Sequence, residues 1–153
     1  MNSTPSSSAP MLRARGFTTL ELLVAVSISA VLSSVAYPSF KDQITKAHRA
    51  DAIAALTNAQ MAQERWRANQ TTYGSLGDLS IAAVSSAGHY TLQIAANTAT
   101  GYEVLATARG GQTQDAECRN LRLTVAGANF DYTSGPDSST ANPAPINRRC
   151  WSL

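Results

Sequence analysis

The chain has 153 residues, of which 44% are hydrophobic and 14% are charged, and its 12 Lys and Arg exceed its 10 Asp and Glu by two. This length provides one ordinary domain with a short appended segment, and the apolar content excludes a wholly disordered chain. A surplus of two positive charges is too small to indicate nucleic-acid binding by composition. The surplus is also local, because Arg13 and Arg15 are the only basic residues before residue 41.

The first predicted element is a membrane-spanning helix. Residues 1–10 are rich in Ser and Pro and are expected to be disordered, whereas residues 17–37 are mostly apolar and residues 22–40 carry no charge. A helix over residues 17–37 would be roughly 31 Å long, which matches the hydrocarbon core of a bilayer. Arg13 and Arg15 precede it and favour a cytoplasmic N-terminus. The argument for this orientation is weakened by three basic residues that follow the helix, Lys41, Lys46 and Arg49.

One residue of the apolar segment is charged, Glu21. A carboxylate deep in a membrane-spanning helix costs about 2.5 to 3.5 kcal/mol, so such residues usually have a partner and a function. Alternatively, Glu21 lies close enough to the helix start to reach the headgroup layer, where the positive end of the helix dipole favours it. The residues alone leave both interpretations open.

The sequence around Glu21 resembles the N-terminal signal of type IV pilins and the related pseudopilins. The shared pattern is Arg-x-Arg-Gly16, then Phe17-Thr-Thr-Leu-Glu21, then a long apolar helix with Pro38 near its end. The resemblance implies that a prepilin peptidase in the inner membrane cuts between Gly16 and Phe17 and methylates the new amine of Phe17. It also implies that Glu21 pairs with the charged N-terminus of a neighbouring subunit during assembly. Pro38 lacks a backbone donor and is expected to kink the helix without ending it.

Two further interpretations concern the ends of this segment. Ser34-Val35-Ala36 has the small-x-small pattern of a secretory cleavage site, and cleavage there would release a soluble domain beginning at Tyr37. Translation from Met11 instead of Met1 would give the leader MLRARG, which is similar to the short leaders of the type IVa pilins. We therefore treat residues 1–16 as a leader whose true start is Met1 or Met11.

The helix is predicted to continue as an amphipathic segment to residue 69. Residues 41–69 contain no Gly or Pro and are rich in Ala, Gln and Arg, which favour a helix. Small and apolar residues recur there at spacings of three and four: Ala52, Ala55, Ala59, Ala62 and Trp66. This stripe predicts a buried face that another element can approach closely. Ile53 lies on the polar side and is expected to be exposed in a monomer.

Four strands are predicted after a loop at residues 69–80. They are residues 89–95, 102–108, 119–126 and 129–133. Leu121, Leu123 and Val125 alternate with polar residues as in a half-buried strand, and Gly127 marks a tight hairpin. These elements predict an α+β fold in which the long helix packs on a four-stranded antiparallel sheet. The resemblance implies the same pilin fold, with a long kinked N-terminal helix and a disulfide-closed C-terminal loop.

The two cysteines are Cys118 and Cys150. An isolated pair in a domain outside the cytoplasm favours a disulfide, which would here close a loop of roughly thirty residues and contribute about 3 to 4 kcal/mol. Metal binding is the alternative, but His48 and His89 provide no zinc spacing. Residues 134–147 are rich in Gly, Pro, Ser and Asn and are expected to form an irregular loop that the disulfide attaches to the sheet.

The C-terminal third carries a second resemblance. The stretch from Asp115 through Cys118 to Gly127, together with the ending Cys150-Trp151, is similar to PilE-like minor pilins. It favours the pilus over the type II secretion pseudopilus, which remains an alternative. The insertion before Cys150 departs from shorter members of the family.

Other classes of site find little support. The chain contains no Gly-x-Ser-x-Gly motif, and its two histidines have no catalytic partner in the sequence, so we expect neither an enzyme nor a cofactor. Hard oxygen ligands for calcium are present without the spacing of an EF-hand: Asn129, Asp131, Asp137 and Asn142. DNA binding by a competence-type minor pilin is a further alternative, although residues 115–153 hold four arginines against four acids.

We therefore predict a type IV prepilin of the minor class. Its expected divisions are the leader at 1–16, the membrane and filament-core half of the helix at 17–37, the amphipathic half at 38–69 and a globular head at 70–153. The expected partners are prepilin peptidase, the inner membrane before assembly and other pilin subunits in an extracellular filament. The expected role is structural, in pilus assembly and hence in twitching, adhesion or DNA uptake.

The N-terminus of the mature protein distinguishes the two cleavage sites. We expect N-terminal sequencing or mass spectrometry of the membrane-extracted protein to identify a methylated Phe17 as its first residue. A mature chain that begins at Tyr37 would instead establish secretion of a soluble domain.

Overall fold

A computed structural model describes residues 16–152, with the side chains of Pro38 and Ser39 left out. The chain divides into two compact units between Ser39 and Phe40. Its elements are the helix α1 (Thr19–Arg67), the strands β1 (Tyr90–Asn97) and β2 (Gly101–Ala108), a 3₁₀ helix (Gly110–Gln114), the strands β3 (Asn120–Ala126) and β4 (Asn129–Gly135), and the helix α2 (Ala144–Trp151). Residues 1–15, which belong to the predicted leader at 1–16, lie outside the described part.

In the N-terminal unit, the apolar side chains of α1 are exposed. The large ones, from Phe17 and Leu20 to Val35 and Tyr37, are all more than half exposed. The helix is long and apolar enough to cross a membrane, with a mean hydropathy of 1.9 over its most apolar 18-residue window. Helical backbone continues through Pro38. The kink at Pro38 stays a prediction.

The second unit, the head, has its own hydrophobic core between one face of α1 and one face of the sheet. Four predicted alanines of α1 are buried there, and Leu56 adds a large side chain that is 1% exposed. Trp66 is half-buried. The prediction for Ile53 was wrong, because this side chain is partly buried and packs against the core. All residues of the core cluster lie within the head, so residues 40–153 can fold without the apolar segment.

The sheet is an antiparallel meander in the order β1-β2-β3-β4, as predicted. Leu121, Leu123 and Val125 point into the core, and each is at most 2% exposed. Gly127 has a φ of +59°, which is the backbone conformation that a tight hairpin turn requires. Gly101 is needed for another reason, since a Cβ there would lie 2.3 Å from the carbonyl oxygen of Val125. The α+β fold predicted from the sequence is confirmed.

The C-terminal segment is more regular than predicted. Residues 144–147 were expected to belong to an irregular loop, but they form the first turn of α2, where Pro145 is tolerated because the first turn needs no intrahelical N–H donor. The predicted disulfide is confirmed, with the Cα atoms of Cys118 and Cys150 5.4 Å apart. Trp151 Nε1 donates to the carbonyl of Thr133 at 3.0 Å. These contacts hold α2 beside β4, which explains why it is ordered.

A buried ion pair joins α1 to the connection between β2 and β3. Arg49 donates through Nε and Nη2 to the two carboxylate oxygens of Asp115 at 2.6 and 2.8 Å, and Arg49 Nη1 donates to the carbonyl of Arg149 at 3.2 Å. The two side chains of the pair are 10% and 4% exposed. Gln112 lies beside the pair and donates to the Thr45 carbonyl at 3.0 Å. We call these three residues, Arg49, Gln112 and Asp115, the polar junction.

Removal of one member of the ion pair should destabilise the head strongly. Arg49→Met leaves the Asp115 carboxylate buried without its cation, and we expect the free energy of unfolding of residues 41–153 to fall by about 3 to 5 kcal/mol in urea titrations. Arg65→Met is the matched control, because Arg65 is exposed on the same helix and should change stability by less than about 0.5 kcal/mol. A loss below about 1 kcal/mol for Arg49→Met would contradict the importance of the junction.

Candidate functional site

The predicted cleavage site lies at the beginning of the described residues. Gly16 and Phe17 precede α1 and belong to no regular element. The Phe17 side chain is 86% exposed. A peptide bond outside regular structure can adopt the extended form that a peptidase binds, so the geometry is compatible with cleavage after Gly16. The motif arginines Arg13 and Arg15 lie outside the described residues, and the cut itself stays a prediction.

Glu21 lies in the first turn of α1 and forms a capping box with Thr18. The Thr18 backbone N–H and hydroxyl donate to Glu21 Oε2 at 3.1 and 3.0 Å, and the Glu21 N–H donates to Thr18 Oγ1 at 3.2 Å. Both donors to the carboxylate use the same oxygen. Within residues 16–152 no group donates to Glu21 Oε1, which can therefore accept a hydrogen bond from outside the subunit.

The segments that meet at the polar junction are rich in basic side chains. Lys41, Lys46 and Arg49 of α1 line hollows beside the β2–β3 connection, and Lys46 and Arg49 share one of them with Arg149 of α2. We call the basic residues of these three segments the basic cluster: Lys41, Lys46 and Arg49 of α1, Arg109 and Arg119 of the β2–β3 connection, and Arg148 and Arg149 of α2. The acids among them are Asp42, Asp51, Asp115 and Glu117. Seven basic against four acidic side chains give the cluster a formal charge of +3.

The rest of the head is acidic. It carries three basic side chains against five acids, a formal charge of −2; these are Arg65, Arg67 and Arg122 against Glu64, Asp78, Glu103, Asp131 and Asp137. The near-neutral composition of the head therefore conceals a strong asymmetry. It arises because the fold brings α1, the β2–β3 connection and α2 together.

Ion pairing leaves most of the basic cluster without a counter-charge. Arg49 is paired with Asp115, and Arg149 lies 3.3 Å from Glu117 on the surface. Arg119 donates to a backbone carbonyl, that of Thr113, at 3.0 Å. Among the residues that the structure describes, five basic members of the cluster form no ion pair: Lys41, Lys46, Arg109, Arg119 and Arg148. Such side chains are available to phosphate groups.

The arginines of the C-terminal third do not all contribute. Arg122 lies on the sheet face that points away from α1, 3.4 Å from Glu103, and it also donates to the carbonyl of Ser138. The count of four arginines and four acids in residues 115–153 was therefore correct, but this segment does not coincide with the basic cluster. Four of the seven basic members of the cluster, the three α1 residues and Arg109, lie outside residues 115–153.

The candidate calcium ligands have other roles. Asp137 accepts the N–H of Ser139 at 2.9 Å within a turn. Asn142 donates to the carbonyl of Glu117 at 2.7 Å and so attaches the C-terminal segment to the β2–β3 connection. In the described range of 16–152, no group of three or more His, Cys, Asp or Glu side chains is arranged to hold a metal ion.

Sequence reasoning missed two residues of these sites. Thr18 was identifiable, because Thr18-x-x-Glu21 is a capping-box pattern directly before an apolar helix. No feature of the sequence indicated a role for Gln112, since it lies in a polar stretch between two predicted strands. Its burial, at 2% exposure, depends on contacts with α1 and with the hydroxyl of Tyr90.

Comparison with known protein families gives two matches. Residues 38–122 match the family model described as type IV minor pilin ComP, DNA uptake sequence receptor. Residues 11–37 match the model described as the prokaryotic N-terminal methylation motif. The search of curated proteins found none that matches. The first match covers more than half of the chain and extends from the second half of α1 into β3.

Proposed function

The chain belongs to the family of type IV minor pilins described as ComP, DNA uptake sequence receptor, and we propose that it is a filament subunit that binds duplex DNA. The N-terminal methylation motif supports a role as a prepilin that is membrane-anchored before assembly. The basic cluster on the head is the structural observation that supports contact with DNA. Pilins are structural proteins, and the proposed role requires no catalytic step.

Processing is proposed to occur at the inner membrane. Arg13 and Arg15 before the apolar helix favour a cytoplasmic N-terminus, which would put the Gly16–Phe17 bond on the side where prepilin peptidase acts. Cleavage would convert the amide of Phe17 into an α-amine, which is largely cationic at neutral pH. The apolar helix would then carry a positive charge at its beginning and the carboxylate of Glu21 one turn later.

Assembly is proposed to pair these two charges between subunits. In an environment of apolar helices, an unpaired charge is unfavourable, and an opposite charge on the adjacent subunit offsets the cost for both. The capping box supports this role for Glu21, because Thr18 engages Oε2 and leaves Oε1 open to a neighbouring amine. The exposed apolar side chains of the N-terminal unit would be covered by lipid before assembly and by other subunits afterwards.

DNA contact is proposed to involve the basic cluster. A protein binds duplex DNA of any sequence mainly through the negatively charged phosphates. Each Lys or Arg that neutralises a phosphate releases counterions. Five basic side chains of the described residues form no ion pair and would provide such contacts: two on α1, two on the β2–β3 connection and one on α2. The remainder of the head has a net negative charge and would be repelled, so the cluster would also orient the head on the duplex.

Loss of the Glu21 carboxylate should prevent incorporation into filaments. We expect Glu21→Ala and the isosteric Glu21→Gln to reduce the amount of the protein in sheared filaments at least about tenfold, because an unpaired buried amine costs several kcal/mol. Leader cleavage, measured by mass spectrometry of the membrane fraction, should be unchanged. Ser29→Ala, in the same helix, is the control and should assemble normally. Normal amounts of either Glu21 variant in filaments would refute the pairing.

Removal of unpaired basic side chains should weaken DNA binding and its dependence on salt. The probe is a mixed-sequence duplex, titrated with the soluble head, residues 41–153 with the disulfide formed, at 50 and 200 mM salt. We plot the logarithm of the binding constant against the logarithm of the salt concentration. In the triple variant Lys46→Gln, Arg109→Gln, Arg148→Gln, we expect the negative slope to become shallower by about one unit for each phosphate contact removed. Arg65→Gln, outside the cluster, should bind like the unmodified head.

The other outcomes of this titration are equally informative. Absence of salt-sensitive binding by the unmodified head would remove DNA from the proposed function. A loss caused by Arg65→Gln but not by the triple variant would place the contact surface elsewhere on the head.

A further inference from the structure

The end of α1 and the loop that follows it form a hollow of about 500 Å³, which we call the Trp66 hollow. This volume lies within the range of small-molecule sites, roughly 300 to 1,000 Å³. Apolar surface in the hollow comes from Ala62 and Trp66 of α1 and from Leu79 of the loop. Trp66, the largest of the three, is half-buried, so part of its surface is accessible to a ligand.

Polar side chains line the same hollow: Arg65, Asn69, Gln70 and Asp78. Asn69 and Gln70 are bonded through their main chain, since the Asn69 N–H donates to the Trp66 carbonyl at 3.1 Å and the Gln70 carbonyl accepts from Arg67 at 2.6 Å. Within residues 16–152, the two amide side chains, the guanidinium of Arg65 and the indole N–H of Trp66 form no hydrogen bond or ion pair with the protein. The hollow therefore presents several polar groups that a ligand can satisfy.

Asp78 contributes a carboxylate that is only partly engaged. Its Oδ2 accepts the hydroxyl of Ser75 at 2.6 Å and the N–H of Ser75 at 2.8 Å. These two hydrogen bonds lower the pKa of the Asp78 carboxyl, so the group is ionised at neutral pH. Among the described residues none donates to Oδ1, which leaves a charged acceptor for a ligand.

Buried contacts hold the loop side of the hollow in place. Gln63 is fully buried on α1, and its amide donates to the Gly74 carbonyl and accepts the Gly74 N–H, both at 2.8 Å. Beyond this point the Ile81 N–H donates to the Leu76 carbonyl at 3.0 Å, and both side chains pack against the core. The walls are therefore in position before a ligand arrives, which reduces the cost of ordering them on binding.

The charges around the hollow disfavour a polyanion. Arg65 and Asp78 compensate each other in the lining, Glu64 adds a negative charge beside it on α1, and the head outside the basic cluster has a formal charge of −2. Arg49, in the basic cluster, precedes Arg65 by 16 residues, which corresponds to about 24 Å along the helix axis. The Trp66 hollow is therefore separate from the proposed DNA contact and suits an uncharged ligand.

We propose that the Trp66 hollow binds a neutral sugar, with a pyranose ring against the indole of Trp66. A pyranose presents C–H groups on its ring faces, which pack on an aromatic surface, and hydroxyl groups around its edge, each of which donates and accepts. The amides of Asn69 and Gln70 also donate and accept. Asp78 Oδ1 adds an acceptor, and Arg65 adds donors. Apolar packing and hydroxyl pairing are thus provided on the same site.

A nucleobase also has a flat face, but it fits this site less well. In a duplex the faces of the bases are stacked on one another, so an aromatic side chain at the protein surface does not reach them. The phosphates would also meet the negative charge of this part of the head. Sugar binding does not depend on the proposed DNA contact. Its use for attachment of a filament to surface polysaccharides does rest on the proposed role as a filament subunit.

The test is an NMR titration of the isotope-labelled, unmodified head, residues 41–153, with methyl β-D-glucopyranoside, methyl β-D-galactopyranoside and N-acetyl-D-glucosamine. We expect saturable shifts of the Trp66 indole and of the Asn69 and Gln70 side-chain amides with at least one sugar, with a Kd on the order of 1 mM for a ligand of this size. Deoxyadenosine monophosphate should cause no saturable shift of these signals. Absence of saturable shifts with all the sugars would overturn the proposal, and so would saturation by the nucleotide alone.

Substitutions in the lining should weaken sugar binding selectively. We expect the double variant Asn69→Ala, Gln70→Ala and the single variant Trp66→Leu each to raise the Kd at least about fivefold, because they remove hydroxyl partners and the aromatic surface respectively. Gln93→Ala, which removes an exposed amide of β1, is the matched control and should bind like the unmodified head. Unchanged binding by the double variant, whose two side chains are exposed, would contradict the site even if Trp66→Leu proved unstable.

Salt separates this proposal from the proposed function. The Kd of an uncharged sugar should change less than about twofold between 50 and 200 mM salt, because no counterions are released, whereas DNA binding should weaken steeply over the same range. Loss of salt-sensitive DNA binding with retained sugar binding would refute the proposed DNA contact alone. Sugar binding that weakens as steeply as DNA binding would overturn the proposal of a neutral ligand.

Discussion

The head depends on the polar junction formed by Arg49, Gln112 and Asp115. The face that α1 presents to the sheet is mostly alanine, and alanine side chains allow the helix to approach closely but do little to define one position along its axis. A buried ion pair with two hydrogen bonds has one satisfactory geometry. It adds little net stability over an apolar replacement, but its disruption is costly, so it selects a single arrangement of helix and sheet.

The arrangement that the junction selects also determines the surface. With α1 held against the β2–β3 connection, Lys46 comes close to Arg149 and Glu117, and His48 stacks on His89. The Cys118–Cys150 disulfide then holds α2 and its two arginines on the same side. The proposed DNA-binding cluster is therefore a consequence of this structural constraint.

Most of the fold could be predicted because its signals are local. The strands were predicted within a few residues of their bounds, since alternation in Leu121, Leu123 and Val125 and the turn at Gly127 depend on neighbouring residues. The helix α2 could not be predicted from its composition. Its order comes from contacts with distant residues, including the Trp151 donor to Thr133 and the bond to Cys118. Ile53 was misassigned for the same reason, because it packs against a core cluster whose members include strand residues far from it in sequence.

The sequence by itself determined the N-terminal signal, the apolar helix and the pairing of the two cysteines. A peptidase and a membrane respond to linear features, namely a short motif and a length of apolar residues, so roles for Gly16, Phe17 and Glu21 could be predicted without a structure. The sites on the head were decided by the tertiary structure alone. Arg49 and Asp115 are 66 residues apart, and Arg49 and Arg149 are 100 apart, so no local pattern connects them. These residues form a site only when folding brings those segments together.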